Sequence, residues 1–422
     1  MRLKVVMSRA MGFGLSMGLL VIVSLIMIPS MVRASGGVAW GAIALGQAIG
    51  GVGSVFLAFG WAMNGPARIA VQGAEGRRQE FVESVRARLA LVLPVALLCA
   101  VVSAFSAVPE FRWMAAVGAV STAAIGLSSN WFFVGTVQPY ALLFSETLPR
   151  VLGTLLGVVL MEMGSSAGIG VLCQLLGMLS AFVVESFVIL RGLSRQGATA
   201  CDPRPIGQVL RGQGDGVFAS VGSASLNALP VVIVAWVRPD VQPVYAFADK
   251  LARQIVTAMS PIVTVFQGWV PRGKPVLKRA HQVLVISLAG CLLLVLGVVA
   301  FGPFLVGYLG GGVISVKGLA LLAMSLYVGA QVLENIVSHA VLPPLHAVRA
   351  AAISTWATGM VTLPLVAVAA LRAGAGVALM VVVAGLVIRT IWELVAAGAA
   401  TPWRRAVVPR RALPDEDTSH GR

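Results

Sequence analysis

The chain has 422 residues, 58% of them apolar and only 11% charged, with a mean hydropathy of +0.92 and 47 glycines. A water-soluble surface needs roughly a quarter of its residues charged, so most of this chain must face hydrocarbon, which excludes a soluble globular protein. The formal charge of +15 would suggest nucleic acid in a soluble protein; in a membrane protein its placement along the chain carries the information instead.

A spanning helix needs about 20 mostly apolar residues, and charge-free runs supply them in order. Three basic residues precede residue 10, and 10–32 hold no charge. That run is too long for a signal-peptide core, no A-x-A site follows and further spans come at once, so it reads as an uncleaved first helix. Helix 2 is expected near Val38 to Met63, helix 3 over 89–109 and helix 4 within 113–145. Pro139 opens helix 5, near Tyr140 to Met161, and helix 6 covers 163–190. The second half repeats the count over 216–237, 243–271, 282–303, 317–342, 347–371 and 374–400.

The expected fold is therefore an all-α polytopic membrane protein of about twelve transmembrane helices in two six-helix bundles, 1–190 and 216–400. Between them lies a basic linker, 191–215, with Arg191, Arg195, Arg204, Arg211, Pro203 and Pro205; a disordered tail is expected over 401–422. Segments on the side of the termini hold 22 Lys or Arg, against four on the other side, Arg33, Arg112, Arg238 and Arg372. By the positive-inside rule the linker, the tail and both termini are cytoplasmic. Six helices per half insert both halves the same way up, giving repeats about an axis along the membrane normal with a path between them.

Ionisable residues inside spans each cost several kcal/mol unless paired or wetted. Glu146 with Arg150, Asp249 with Arg253 and Arg389 with Glu393 are spaced i, i+4 and can neutralise one another on one helix face. Lys250 has no opposite charge at i±3 or i±4, so it needs an external partner such as an anion, or else snorkels to the interface. Glu334 has no cation at i±4 and reads either as a proton or cation site or as a structural acid. Glu185 reads as a snorkelling residue near the end of helix 6. Gly14 with Gly18, Gly46 with Gly50, and Gly153 with Gly157 are small-xxx-small pairs. Pro29, Pro94, Pro230, Pro261 and Pro364 permit kinks. Helix 7, with Ser220, Ser223, Ser225 and Asn227, is expected to line the path.

Cys99, Cys173, Cys201 and Cys291 lie far apart and form no metal or disulfide pattern. No Walker loop, HExxH or GxSxG is present and the outer loops are short, so no enzyme and no cofactor are expected.

Three stretches carry a resemblance. Trp40-Gly-Ala-Ile-Ala-Leu-Gly-Gln-Ala-Ile49 running to Phe59-Gly60-Trp61, Asn130-Trp-Phe-Phe-Val-Gly135, and Tyr245-Ala-Phe-Ala-Asp-Lys-Leu-Ala-Arg253 resemble the helix 2, helix 4 and helix 8 patterns of the bacterial Wzx-type polysaccharide flippases. These belong to the multidrug/oligosaccharidyl-lipid/polysaccharide exporter superfamily. Where that family often has a charge after its Trp-x-x-x-Gly turn, this chain has Thr136-Val-Gln138. The resemblance implies a non-enzymatic transporter of the bacterial inner membrane. It would move a polyprenyl-diphosphate-linked oligosaccharide to the outer leaflet by alternating access. Membrane lipids, glycosyltransferases and a polysaccharide polymerase would be its partners, with no nucleic acid. Arg150, Lys250 and Arg253 would meet the diphosphate, and Glu334, Asp249 and Glu146 would be coupling or cavity acids. A multidrug antiporter of the same superfamily is the alternative.

Overall fold

The computed structural model describes residues 2–199, 202–211, 214–270, 276–345 and 348–407, and those residues contain helices and no strand. Residues 200–201 and 212–213 of the linker, and 408–422 of the expected disordered tail, lie outside the described residues. A backbone in hydrocarbon must satisfy its own N–H and C=O groups, which is why every apolar run becomes a helix.

Nine helices among the described residues are long and apolar enough to cross a membrane. The first of them, Gly12–Ala58, is two helices meeting at Gly36, where φ is +82° and helical geometry is broken. We designate residues 2–35 α1 and 37–58 α2. Then follow α3 (Ala74–Ser106), α4 (Pro109–Thr136), α5 (Pro139–Glu162) and α6 (Ala167–Arg195). The second half holds α7 (Gly214–Val237), α8 (Gln242–Ala258, continued by Ser260–Trp269 across a break beside Pro261) and α9 (Val276–Leu309). It closes with α10 (Gly318–Val341), α11 (Val348–Ala373) and α12 (Ala375–Val407). Adding the split helix, α7 and α8 to the nine gives twelve passes, so both termini lie at one face. Lys317, immediately before α10, joins the four basic residues counted at the opposite face.

The linker is not a free tether. Arg204 makes a 2.6 Å ion pair with Glu83 of α3, and a short helix, Ile206–Arg211, buries Val209 beside Phe81 and Trp131. Lipid-facing surface is plain on α3, where Leu93, Leu97 and Phe105 are exposed, as hydrocarbon permits.

The apolar cores divide by depth. At the face opposite the termini one core draws on both halves, from Met31, Trp40 and Ile43 to Val234, Phe247 and Met324. Toward the termini the halves part: Trp61, Phe132 and Ile189 form one core, Val263, Val283 and Ile336 another. The halves are thus sealed together at one end and separate at the other.

Two of the three expected glycine pairs are helix contacts. A Cβ on Gly46 or Gly50 would strike the α4 backbone at Ala115 and Ala119, and Gly153 and Gly157 meet Gly177 and Gly170 of α6. Gly14 and Gly18 meet nothing within 4 Å, so that pair packs no helix.

Candidate functional site

Four cavities lie in a row through the bundle, each sharing lining residues with the next. The first, of about 360 Å³, lies between the halves and is lined by Ser24, Gln47, Arg150, Thr154, Lys250 and Gln254. A second, about 330 Å³, shares Gln47 and Lys250 and adds Asn227, Asp249 and Arg253. The third, about 270 Å³, shares Asn227, Asp249 and Arg253 and runs into the second half to Glu334 and Arg389. The fourth, about 380 Å³, shares Arg150 with the first and reaches Glu146 and Arg88 in the first half. All six residues singled out in the sequence line this row. Of the polar face expected on α7, Asn227 lines it, and the side chains of Ser220 and Ser223 lie outside the described residues.

Arg150 donates to Glu146 Oε1 at 2.8 Å, and that oxygen also accepts from Ser128 Oγ at 2.7 Å. Glu146 sits in a single π-turn, Leu143–Thr147, the kind of irregularity that clusters at functional positions. Arg253 grips Asp249 through two bonds, 2.7 and 2.9 Å, and donates to the Asn227 carbonyl at 2.7 Å.

Lys250 does not snorkel. Its Nζ donates to Gln47 Oε1 across the two halves and lies 5.8 Å over the Trp40 ring. Among the described residues no carboxylate forms an ion pair with it, so it is a cation held by a neutral amide and an aromatic face. Gln254 reaches Ser24 across the same seam at 3.1 Å.

Glu334 is not without a cation. The cation comes from another helix: Arg389 of α12 lies 2.6 Å from Glu334 Oε1 and also bonds Glu393 at 3.0 Å. Gln331 and Ser338 donate to Glu334 at 2.9 and 2.7 Å. The expected Arg389–Glu393 pair is therefore one arm of a cluster of two carboxylates around one guanidinium.

Glu185 does not snorkel either; it is 0% exposed and accepts the Ser129 backbone N–H at 2.8 Å. The reason lies in α4, whose chain leaves helical geometry at Ser128 and Ser129 between a 3-10 turn and the segment starting at Asn130. A break inside a membrane frees backbone groups that must be satisfied by protein. Arg88 of α3, also 0% exposed, donates to the Leu127 and Ser128 carbonyls at 2.6 and 2.9 Å, while Glu185 takes the freed N–H. Sequence reasoning missed Arg88 because it closes the charged stretch 75–88 between the expected helices 2 and 3, whose basic residues count toward the side of the termini. The usable signal was the apolar run directly after it.

The second half repeats part of this device. Glu393 falls eighteen residues past the start of α12, as Glu185 does past the start of α6 (375 to 393, 167 to 185). Each is 0% exposed, and each bonds a serine twenty residues into the fourth helix of its half (109 to 129, 318 to 338).

No family model matches the sequence, and no curated protein does. Solved structures do match in fold. An inward-facing multidrug resistance transporter of the MATE family, in the MOP superfamily, superposes with a TM-score of 0.70 at 15% identity, covering 92% of this chain and 96% of that one. A eukaryotic MATE transporter gives 0.59 at 13% identity over 96% and 98%, and a MATE mutant 0.57 at 14% over 94% and 97%. At such identities the likeness is one of fold: this chain has the all-α, multi-pass fold of the MATE transporters.

Proposed function

We propose that this protein is a membrane transporter that carries a polyprenyl-diphosphate-linked oligosaccharide from the inner to the outer leaflet of a bacterial inner membrane. The observation that carries the reading is the cavity between the halves, where Arg150 comes from one half and Lys250 from the other. A diphosphate cannot cross hydrocarbon unaided, so its carrier must present cations at depth while the prenyl chain stays in lipid. Lys250 has no carboxylate to satisfy it, and Arg150 and Arg253 add guanidinium donors suited to phosphate.

The separation of the halves toward the termini, with the basic segments at that face, supports a cavity open to the cytoplasm, and the inward-facing neighbour has the same fold. Both termini are then cytoplasmic, and reporter fusions after Arg195 and Arg405 should both read as cytoplasmic. Coupling is proposed at the Glu334–Arg389–Glu393 cluster, where two carboxylates share one guanidinium and one exchangeable proton completes the balance. Glycosyltransferases and a polymerase supply and consume the glycan in this reading.

A second reading, a multidrug antiporter, has behind it the fold shared with a multidrug resistance transporter and the acids of the second-half cavity, Asp249 and Glu334. Proteoliposomes decide. Flipping of a polyprenyl-diphosphate-linked oligosaccharide that falls in Lys250→Ala and Arg150→Ala is the expected result. Proton-driven uptake of a cationic dye with no lipid flipping would replace it with the second reading.

A further inference from the structure

The second-half cavity differs from its neighbours in kind. Its lining holds Asp249 and Glu334 against Arg253 and Arg389, each acid in an ion pair, so with one proton on the Glu334–Glu393 cluster it presents balanced charge. Neither a bare anion nor a bare cation gains net attraction there. The rest of the wall consists of hydrogen-bonding groups between apolar surfaces, with Tyr245 and Tyr327 contributing rings. Among the described residues the Asn227 side-chain amide and the Thr362 hydroxyl have no protein partner, although both line the cavity. Glycines keep the wall open: a Cβ on Gly385 would strike Thr362, and one on Gly359 would strike Leu226. The volume, about 270 Å³, lies just below the ~300–1,000 Å³ of typical ligand pockets, which suits one ring-sized group rather than a whole glycan. The cavity borders the chamber holding Lys250, with which it shares Asn227, Asp249 and Arg253.

Resting on the lipid-linked reading above, we infer that the second-half cavity is a subsite for a neutral sugar ring attached to the diphosphate, recognised by hydrogen bonds from Asn227 and Thr362. The cations hold the diphosphate and this cavity reads what it carries. The division of labour follows the physics: charge supplies affinity for phosphate, and polar groups that line the cavity without a protein partner supply discrimination.

The test uses the full-length protein in nanodiscs and four short-chain prenyl diphosphates: one bare and three bearing a single glucosyl, galactosyl or mannosyl group. At least one hexosyl lipid is expected to bind more tightly than the bare lipid. Thr362→Val and Asn227→Leu should each cut that advantage, measured as a ratio of affinities, by roughly tenfold, the order expected for lost neutral hydrogen bonds. Lys250→Ala should weaken bare and hexosyl lipids together and keep the ratio. Unchanged binding of the bare lipid reports on folding of Thr362→Val and Asn227→Leu, and the melting temperature does so for Lys250→Ala. If all four lipids bind wild type equally, or if the ratio survives both substitutions, the subsite is wrong while the diphosphate reading stands. If none binds, both fall. A uronic-acid-bearing lipid that outbinds the hexosyl set would overturn the neutral character of the cavity.

Discussion

The two halves place a buried glutamate at the same step of their last helix and then use the charge around it differently. In the first half, Arg88 and Glu185 satisfy the backbone of the broken α4, and Arg88 has no exposed surface. In the second half, α10 continues through a π-turn, Val337–Val341, and the cation, Arg389, keeps 21% of its side chain exposed and joins two acids at a cavity wall. The same frame therefore spends its charge on architecture in one half and leaves it available to solvent and proton in the other. A buried carboxylate in this fold is informative only with its partners: bonded to main chain it is a brace, and sharing one cavity-facing cation with a second carboxylate it is a candidate for exchange.

The largest effect expected from this contrast is on stability. Arg88→Leu leaves Glu185 and two freed carbonyls uncompensated and should cost ~3–5 kcal/mol, seen as a lower melting temperature and poor accumulation in the membrane. Arg389→Leu should cost less, ~1–3 kcal/mol, since water and protons reach its site. Equal losses would erase the distinction between brace and exchange site.

Transport should separate the halves next. Lys250→Ala should lower flipping ~10- to 100-fold, the range for a lost charge-assisted hydrogen bond, with protein abundance unchanged. Normal flipping in both Lys250→Ala and Arg150→Ala would leave the interlobe cations without a role in binding substrate. A smaller effect is expected on energy coupling: under an imposed proton or sodium gradient, Glu334→Gln should lose the gradient response while Glu146→Gln keeps it. A gradient that drives both variants equally would make Glu334 a structural acid.

The smallest effect concerns exposed pairs, where the halves should not differ. In the loop after α7 the Arg238 guanidinium bonds both oxygens of Asp240 and holds its carboxyl below the usual aspartate range. A carboxyl with a depressed folded pKa adds stability above its unfolded value and loses it as pH falls through the folded one. The slight melting-temperature deficit of Asp240→Asn should therefore shrink as the solution is acidified below about pH 4. A deficit that grows with acid would contradict the pairing.

The polytopic helical fold, and the presence of six ionisable residues inside its spans, were legible because charge-free length and i, i+4 spacing are local properties. What was not legible lay across helices. The cation for Glu334 sits on α12, the partner of Lys250 is Gln47 on α2, and nothing in either neighbourhood of the sequence announces the other. Glu185 was misread because depth was judged from distance to a helix end, whereas α6 is covered there by the break in α4. The matched serine–glutamate steps appear only once helix starts are fixed by structure.

The plug that joins the halves at the face opposite the termini has a thermal consequence. On the proposed transport reading, an alternating-access cycle would open it and wet surfaces such as Trp40, Ile43, Tyr245 and Phe247, all nearly fully buried. Hydrating apolar surface raises heat capacity, so the free-energy gap between the two access states curves with temperature instead of changing linearly. Apolar burial also weakens on cooling. Chilling should accordingly shift the resting population toward the state open at that face, a bias obtained from solvent alone with every residue left in place.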